Sequence, residues 1–181
     1  MRMSVSDHSL ALAAAGGDRE AFASLLSRHY DRLFAFAFRL TGSRAEAEDL
    51  TQDICLALPA KLRLYEGRAA FSTWLYRVVV NAAHDRRRRA ASQSRAADGW
   101  GDWEQARQAE LHEAAEALDW LTEAMRALPE ELRVTCALIL GEETTQAQAG
   151  DILGVSEGTI AWRMSEVKKR LRARATEELN Q

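Results

Sequence analysis

A chain of 181 residues has room for one mid-sized domain or two small ones, and a composition 47% hydrophobic and 28% charged supports packed cores under a soluble surface. No apolar run reaches the roughly eighteen residues a membrane helix needs, and the N-terminus carries no secretory leader pattern, so a cytoplasmic protein without membrane insertion is expected. The formal net charge of −3 hides an asymmetry: residues 1–97 carry 15 Lys and Arg against 10 Asp and Glu, residues 98–181 carry 9 against 17, which disfavours indiscriminate nucleic-acid binding but leaves two local basic stripes.

In chain order the periodicity is helical. Phe22, Leu25, Leu26, His29, Leu33, Phe36 and Leu40 follow three- and four-residue spacing up to a stop at Gly42. Ser43 and Glu46 form a capping-box pattern that opens a second helix through Ala47, Leu50, Ile54 and Leu58, which Pro59 is expected to kink or end. The polar turn Tyr65-Glu-Gly67-Arg68 leads into a third helix from near Ser72 to the arginines Arg86–Arg89. Residues 90–108 are small and polar and read as a linker, in which Trp100 and Trp103 dock either on a domain surface or on a partner.

Beyond the linker, Leu111, Ala115, Leu118 and Met125 share one helix face that ends at Ala127. Pro129 then opens a helix carrying Leu132, Cys136, Ile139 and Leu140 before Gly141. A second capping box, Thr145 and Gln148, starts a short helix to Leu153, and Gly154-Val-Ser156 turns the chain into a long helix from Glu157. The expectation is an all-α fold: a helical domain over 1–90, a flexible linker over 91–110 and a helix-turn-helix domain over 111–181. Cys55 and Cys136 lie far apart on apolar stretches and read as two buried thiols.

Two stretches carry chemistry. Residues 145–174 match the helix-turn-helix plan: Gly150 is small where helices meet, Gly154 can reverse the chain, and Ser156 can cap. In the second helix Ile160, Met164, Val167 and Leu171 make a buried stripe. Trp162, Ser165, Glu166 and Lys169 lie opposite, with Arg163, Lys168, Arg170 and Arg172 beside them. Such a face suits base reading followed by phosphate contacts. In residues 71–89 Trp74, Leu75, Val78 and Ala82 form an apolar face, while Arg77, Asn81, His84 and Arg88 recur as a polar stripe. Aromatics beside arginines suit unstacked single-stranded bases. A core helix with a solvated basic tail would give the same pattern.

The runs Ala47-Glu-Asp49-Leu-Thr-Gln52-Asp53, Tyr65 to Asn81, Leu128-Pro-Glu-Glu-Leu-Arg133 and Leu153-Gly-Val-Ser-Glu-Gly-Thr159-Ile resemble, in order and spacing, the extracytoplasmic-function (ECF) sigma factors of the sigma-70 family. The pattern departs from the family at Gln148-Ala-Gly150, at Trp162-Arg-Met-Ser-Glu166 and at Pro59. The resemblance implies a non-enzymatic promoter-specificity subunit that needs no cofactor or metal. Its partners would be core RNA polymerase, promoter DNA and an anti-sigma factor. Asp49, Gln52, Asp53 and Leu56 would face the polymerase clamp. The loop Glu66–Phe71 and the helix bearing Trp74, Arg77, Asn81, His84 and Arg88 would capture the −10 strand. Thr159, Trp162, Arg163, Ser165, Glu166, Lys169 and Arg170 would meet the −35 element. The linker would thread toward the polymerase cleft. The alternative is a helix-turn-helix activator with an N-terminal sensing domain. Catalysis is disfavoured, since His112-Glu113-Ala-Ala-Glu116 lacks the second histidine of a zinc-protease helix.

Overall fold

A computed structural model of the chain describes residues 5–96 and 116–179. Among the described residues every regular element is helical, and no helix is long and apolar enough to cross a membrane. Trp100, Trp103, Leu111 and Ala115 lie outside the described residues.

The first helix, α1 (Asp7–Ala15), was not visible as a periodic pattern, because its Leu-Ala-Leu-Ala-Ala-Ala run is apolar on every side. Ser6 caps it by accepting the Ser9 N–H at 3.2 Å. Asp7 anchors it to the next helix through Arg28 (2.9 Å) and His29 (2.8 Å). Helix α2 (Arg19–Thr41) is capped by Asp18, whose Oδ1 accepts the Glu20 and Ala21 N–H groups, and stops at the left-handed Gly42. Ser43 caps α3 (Arg44–Leu62), accepting the Glu46 N–H at 3.4 Å, while its own N–H meets the Thr41 hydroxyl instead of Glu46.

Pro59 does not end α3, which continues to Leu62. Leu58 and Leu62, one turn apart, are both buried, and their packing keeps the chain helical past an exposed proline. Helix α4 (Phe71–Ala96) starts one residue before the expected position and runs six residues past the expected domain boundary at 90.

In the second half, α5 (Glu116–Arg126) and α6 (Glu130–Cys136) precede a π-helical turn at Ala137–Gly141, where sequence periodicity predicts one continuous helix. The Leu138 carbonyl is the focus of this turn. It accepts the Glu142 N–H (3.3 Å), the Thr144 N–H (3.2 Å) and the Thr144 hydroxyl (2.9 Å), which close the helix after Gly141.

Helices α7 (Gln146–Leu153) and α8 (Glu157–Leu179) complete the expected helix-turn-helix. The Thr145–Gln148 capping box is fully formed, with bonds of 3.1 and 2.9 Å. Gly154 adopts φ +68°, and a Cβ on Gly150 would stand 2.7 Å from the Val155 carbonyl oxygen. The Ser156 hydroxyl accepts the Thr159 N–H at 3.2 Å.

The halves share one core. Leu33, Phe36, Leu50, Ile54 and Val79 are continuous with Val134, Leu138, Ala149, Ile152 and Ile160, while Leu128, Leu132, Cys136 and Val167 form a smaller cluster. Both cysteines are free. Cys136 is buried as expected but Cys55 is only half-buried, and burial pushes both thiols above the usual range.

Candidate polymerase and nucleic-acid interfaces

Three surfaces carry the residues singled out in the sequence. On α3, Asp49, Gln52, Asp53 and Leu56 follow i, i+3, i+4, i+7 spacing and all point to solvent, while Leu50, Ile54 and Leu58 turn the opposite way into the core. Leu56 is 75% exposed, an apolar side chain on an otherwise acidic face. Sequence reasoning missed Arg86 of α4, which donates to Asp49 (3.0 Å) and Asp53 (2.9 Å) and holds the two carboxylates at fixed spacing. Burial works against the Arg86 charge, but Asp53 and Asp49 outweigh it and strengthen its hold on the proton. Arg86 lies 33 residues from Asp53, inside a basic run, so no local pattern marks the pairing.

The second surface is the loop 65–70 with the first turns of α4. Tyr65 is buried and pins the loop by donating to the Ala69 carbonyl at 2.9 Å, while the His8 Nδ1 of α1 lies 3.3 Å from its hydroxyl. The Tyr65, Phe71 and Trp74 rings pack within 6 Å of one another, and His29 meets Phe71 edge-on at 5.0 Å. Phe71, at 4% exposure, is inside this cluster, while Trp74 is half-buried. Arg77, Asn81, His84 and Arg88 are exposed on α4. Their partners differ. Arg77 donates to the Asp151 carbonyl, His84 lies 3.1 Å from Glu130, and Arg88 pairs with Asp85 at 3.0 Å.

The third surface is the outer side of α8. Ile160, Met164 and Val167 are buried, which turns Trp162 (60% exposed), Ser165, Lys169 and Arg170 outward. Thr159, Arg163 and Glu166 are half-buried at the margins, and the Thr159 hydroxyl lies 2.9 Å from that of Ser156. An exposed aromatic and three polar or basic groups on a helix that follows a tight turn can enter a major groove.

Comparison with known proteins supplies the setting for these surfaces. Residues 25–93 match the sigma-70 region 2 family, covering most of α2, all of α3, the loop and most of α4. Among solved structures, the sigma factor RpoE of Bartonella quintana, in complex with the anti-sigma factor NepR, is 26% identical with a TM-score of 0.72, covering 84% of this chain and 94% of that one. CnrH, in complex with the cytosolic domain of CnrY, is 25% identical with a TM-score of 0.70, covering 94% and 97%. SigW of Bacillus subtilis, an ECF RNA polymerase sigma factor, is 26% identical over 86% of this chain and 89% of its own. SigM of Mycobacterium tuberculosis, of the same class, is 35% identical over 92% of this chain and 83% of its own, a likeness that runs through both the α3–α4 unit and the helix-turn-helix. This chain belongs to the ECF sigma factors of RNA polymerase.

Proposed function

We propose that this chain binds core RNA polymerase and directs it to promoters, with residues 1–90 engaging polymerase and the −10 element, 91–110 connecting, and 111–181 engaging the −35 element. The observation that carries this reading is that similarity to ECF sigma factors extends through both halves of one chain, not through the helix-turn-helix alone as a simple activator would require. On α3, the exposed Asp49, Gln52, Asp53 and Leu56 form the polymerase face, and Arg86 presents the two aspartates. On α4, Arg77, His84 and Arg88 hold the backbone of the non-template strand, Asn81 reads a base, and Trp74 offers a stacking surface. Phe71 supports Trp74 from beneath. On α8, Trp162, Ser165, Glu166 and Lys169 face bases, while Arg163 and Arg170 contact phosphates.

An anti-sigma factor is the expected regulator, as RpoE of Bartonella quintana has in NepR. An apolar groove of about 530 Å³ between α2 and the second half supports this. Phe34, Phe38, Met125 and the exposed Leu121 and Leu140 line it and suit an amphipathic helix. Co-purification with core polymerase in the absence of DNA tests the reading. A sigma factor is retained by core, and Asp49→Arg is expected to release it. An activator that needs DNA to meet polymerase would not be retained.

A further inference from the structure

Arg133 of α6 is buried, at 6% exposure, yet its guanidinium forms no ion pair among the described residues. Its Nη1 donates to the Arg126 carbonyl at 3.2 Å, and its Nε has no hydrogen-bond partner. A backbone carbonyl satisfies one donor but carries no net charge. A buried cation in that state is costly, and an interior tolerates one best where an anion comes to it.

That guanidinium forms part of the wall of a cavity of about 50 Å³, where α6 meets α4 and the corner between α2 and α3. Thr41, Glu46, Arg86, Arg87 and Glu130 supply the other polar walls, and the rest is apolar. The charges there are not equivalent. Arg86 is held by Asp49 (3.0 Å) and Asp53 (2.9 Å), and Arg87 by Glu130 (3.0 Å). Glu46, exposed on the first turn of α3, forms no ion pair with Arg133. Arg133 is thus the charge left without a counter-ion, and the half-exposed Arg86 and Arg87 share its cavity. One water needs roughly 10–15 Å³ of such space, so the cavity admits a small oxyanion but not a nucleoside.

We infer that this cavity binds a phosphate-class anion, either inorganic phosphate or the terminal phosphoryl group of a nucleotide, with Arg133 as its anchor and Arg86 and Arg87 as flanking donors. The planar guanidinium fork matches phosphate oxygens two at a time. Arg133 comes from α6 and the other two from α4, so the anion is grasped by both halves and stabilises the folded chain by mass action. The carboxylates of Glu46 and Glu130 oppose it and hold the affinity down.

The test is isothermal titration of the free full-length chain with sodium phosphate and, separately, with adenosine monophosphate, at constant ionic strength. Thermal unfolding is followed in the same solutions. One anion per chain is expected, with a melting temperature that rises with phosphate but not with sodium chloride of equal ionic strength. The tighter of the two probes identifies the source of the phosphoryl group. Arg87→Gln is expected to weaken binding about threefold to tenfold, the worth of one charge-assisted contact. Glu46→Gln removes a repelling carboxylate that takes no part in capping α3, and is expected to strengthen binding about twofold to threefold. Arg133→Lys keeps the charge but loses the fork, and should abolish saturable binding. Opposite signs at two exposed positions separate an anion site from a loss of folding, so the surface pair decides the matter if Arg133→Lys does not fold. No saturable binding of either probe would overturn the site, as would equal affinities in the parent, Arg87→Gln and Glu46→Gln. Neither polymerase nor promoter enters these measurements, so their failure and that of the proposed function are distinct.

Discussion

Asn81 is exposed on α4 between Arg77 and His84, and its amide offers both donors and acceptors to a base. Asn81→Ala is expected to weaken promoter opening by about 1–3 kcal/mol, the worth of a base-edge contact. Affinity for core polymerase should hold. Open-complex lifetime and core-binding anisotropy, measured side by side, separate the two. On α8, Glu166 and Arg170 differ in kind. A carboxylate in a phosphate-lined groove is repelled unless a base amino group, such as that of cytosine, donates to it. Glu166→Ala is therefore expected to relax preference at one −35 base pair, while Arg170→Ala weakens all promoters alike and flattens their salt dependence. Transcription of single-base −35 variants by each mutant holoenzyme reads this out, and equal strengthening of every variant by Glu166→Ala would show that the residue only repels DNA. Exposure of Asn81 and Arg170 was legible from helical spacing, since a buried stripe dictates what lies opposite, whereas Glu166, expected opposite the stripe, is half-buried at its margin. The burial of Phe71 was not, because Tyr65 and His29 reach it from two other segments. The same holds for Arg86, whose partners are on α3.

At the level of elements, the helix-turn-helix was the most legible part, since its caps and glycines act locally. Gly150→Val is expected to cost about 1–3 kcal/mol in thermal unfolding, because its side chain would enter the space of the Val155 carbonyl. Activity at −35-dependent promoters should fall with it. Helix α1 gives a second test. Burial works against the Asp7 carboxylate, but Arg28 and His29 outweigh it and hold its carboxyl below the ordinary 3.8. A depressed value in the folded state means that the anchoring is complete above the ordinary value and is lost as pH falls through the lower one. Protection of the α1 amides, that is exchange relative to the intrinsic rate at each pH, should thus be flat with pH until below about 4, then fall. Asp7→Asn should exchange faster at neutral pH and lose the dependence on Asp7. Two features escaped the sequence because tertiary contacts decided them: the packing of Leu58 and Leu62 carries α3 past Pro59, and packing against α2 and α3 defines α1.

For the whole molecule, the charge asymmetry was visible in composition, but its use was not. Acid in the second half meets base on α2 at contacts separated by about a hundred residues, as in Arg32 and Arg39 with Glu142, and meets Arg87 of α4 through Glu130, and no periodicity encodes such pairs. The all-helical class and the order of the helices from α2 onward followed from local pattern, whereas the docking of the halves through a shared core rests on contacts between residues far apart in the chain. The exposed residues of α3 and α8 remain accessible in this arrangement, while Arg77 and His84 of α4 contact the second half. The most direct measurement is single-round run-off transcription by purified core polymerase on a promoter library, with and without this chain. Transcripts that start at defined sites only when the chain is present, and that are lost when either the −10 or the −35 bases are scrambled, are the expected result. The same transcripts with and without the chain would contradict its role as a sigma factor.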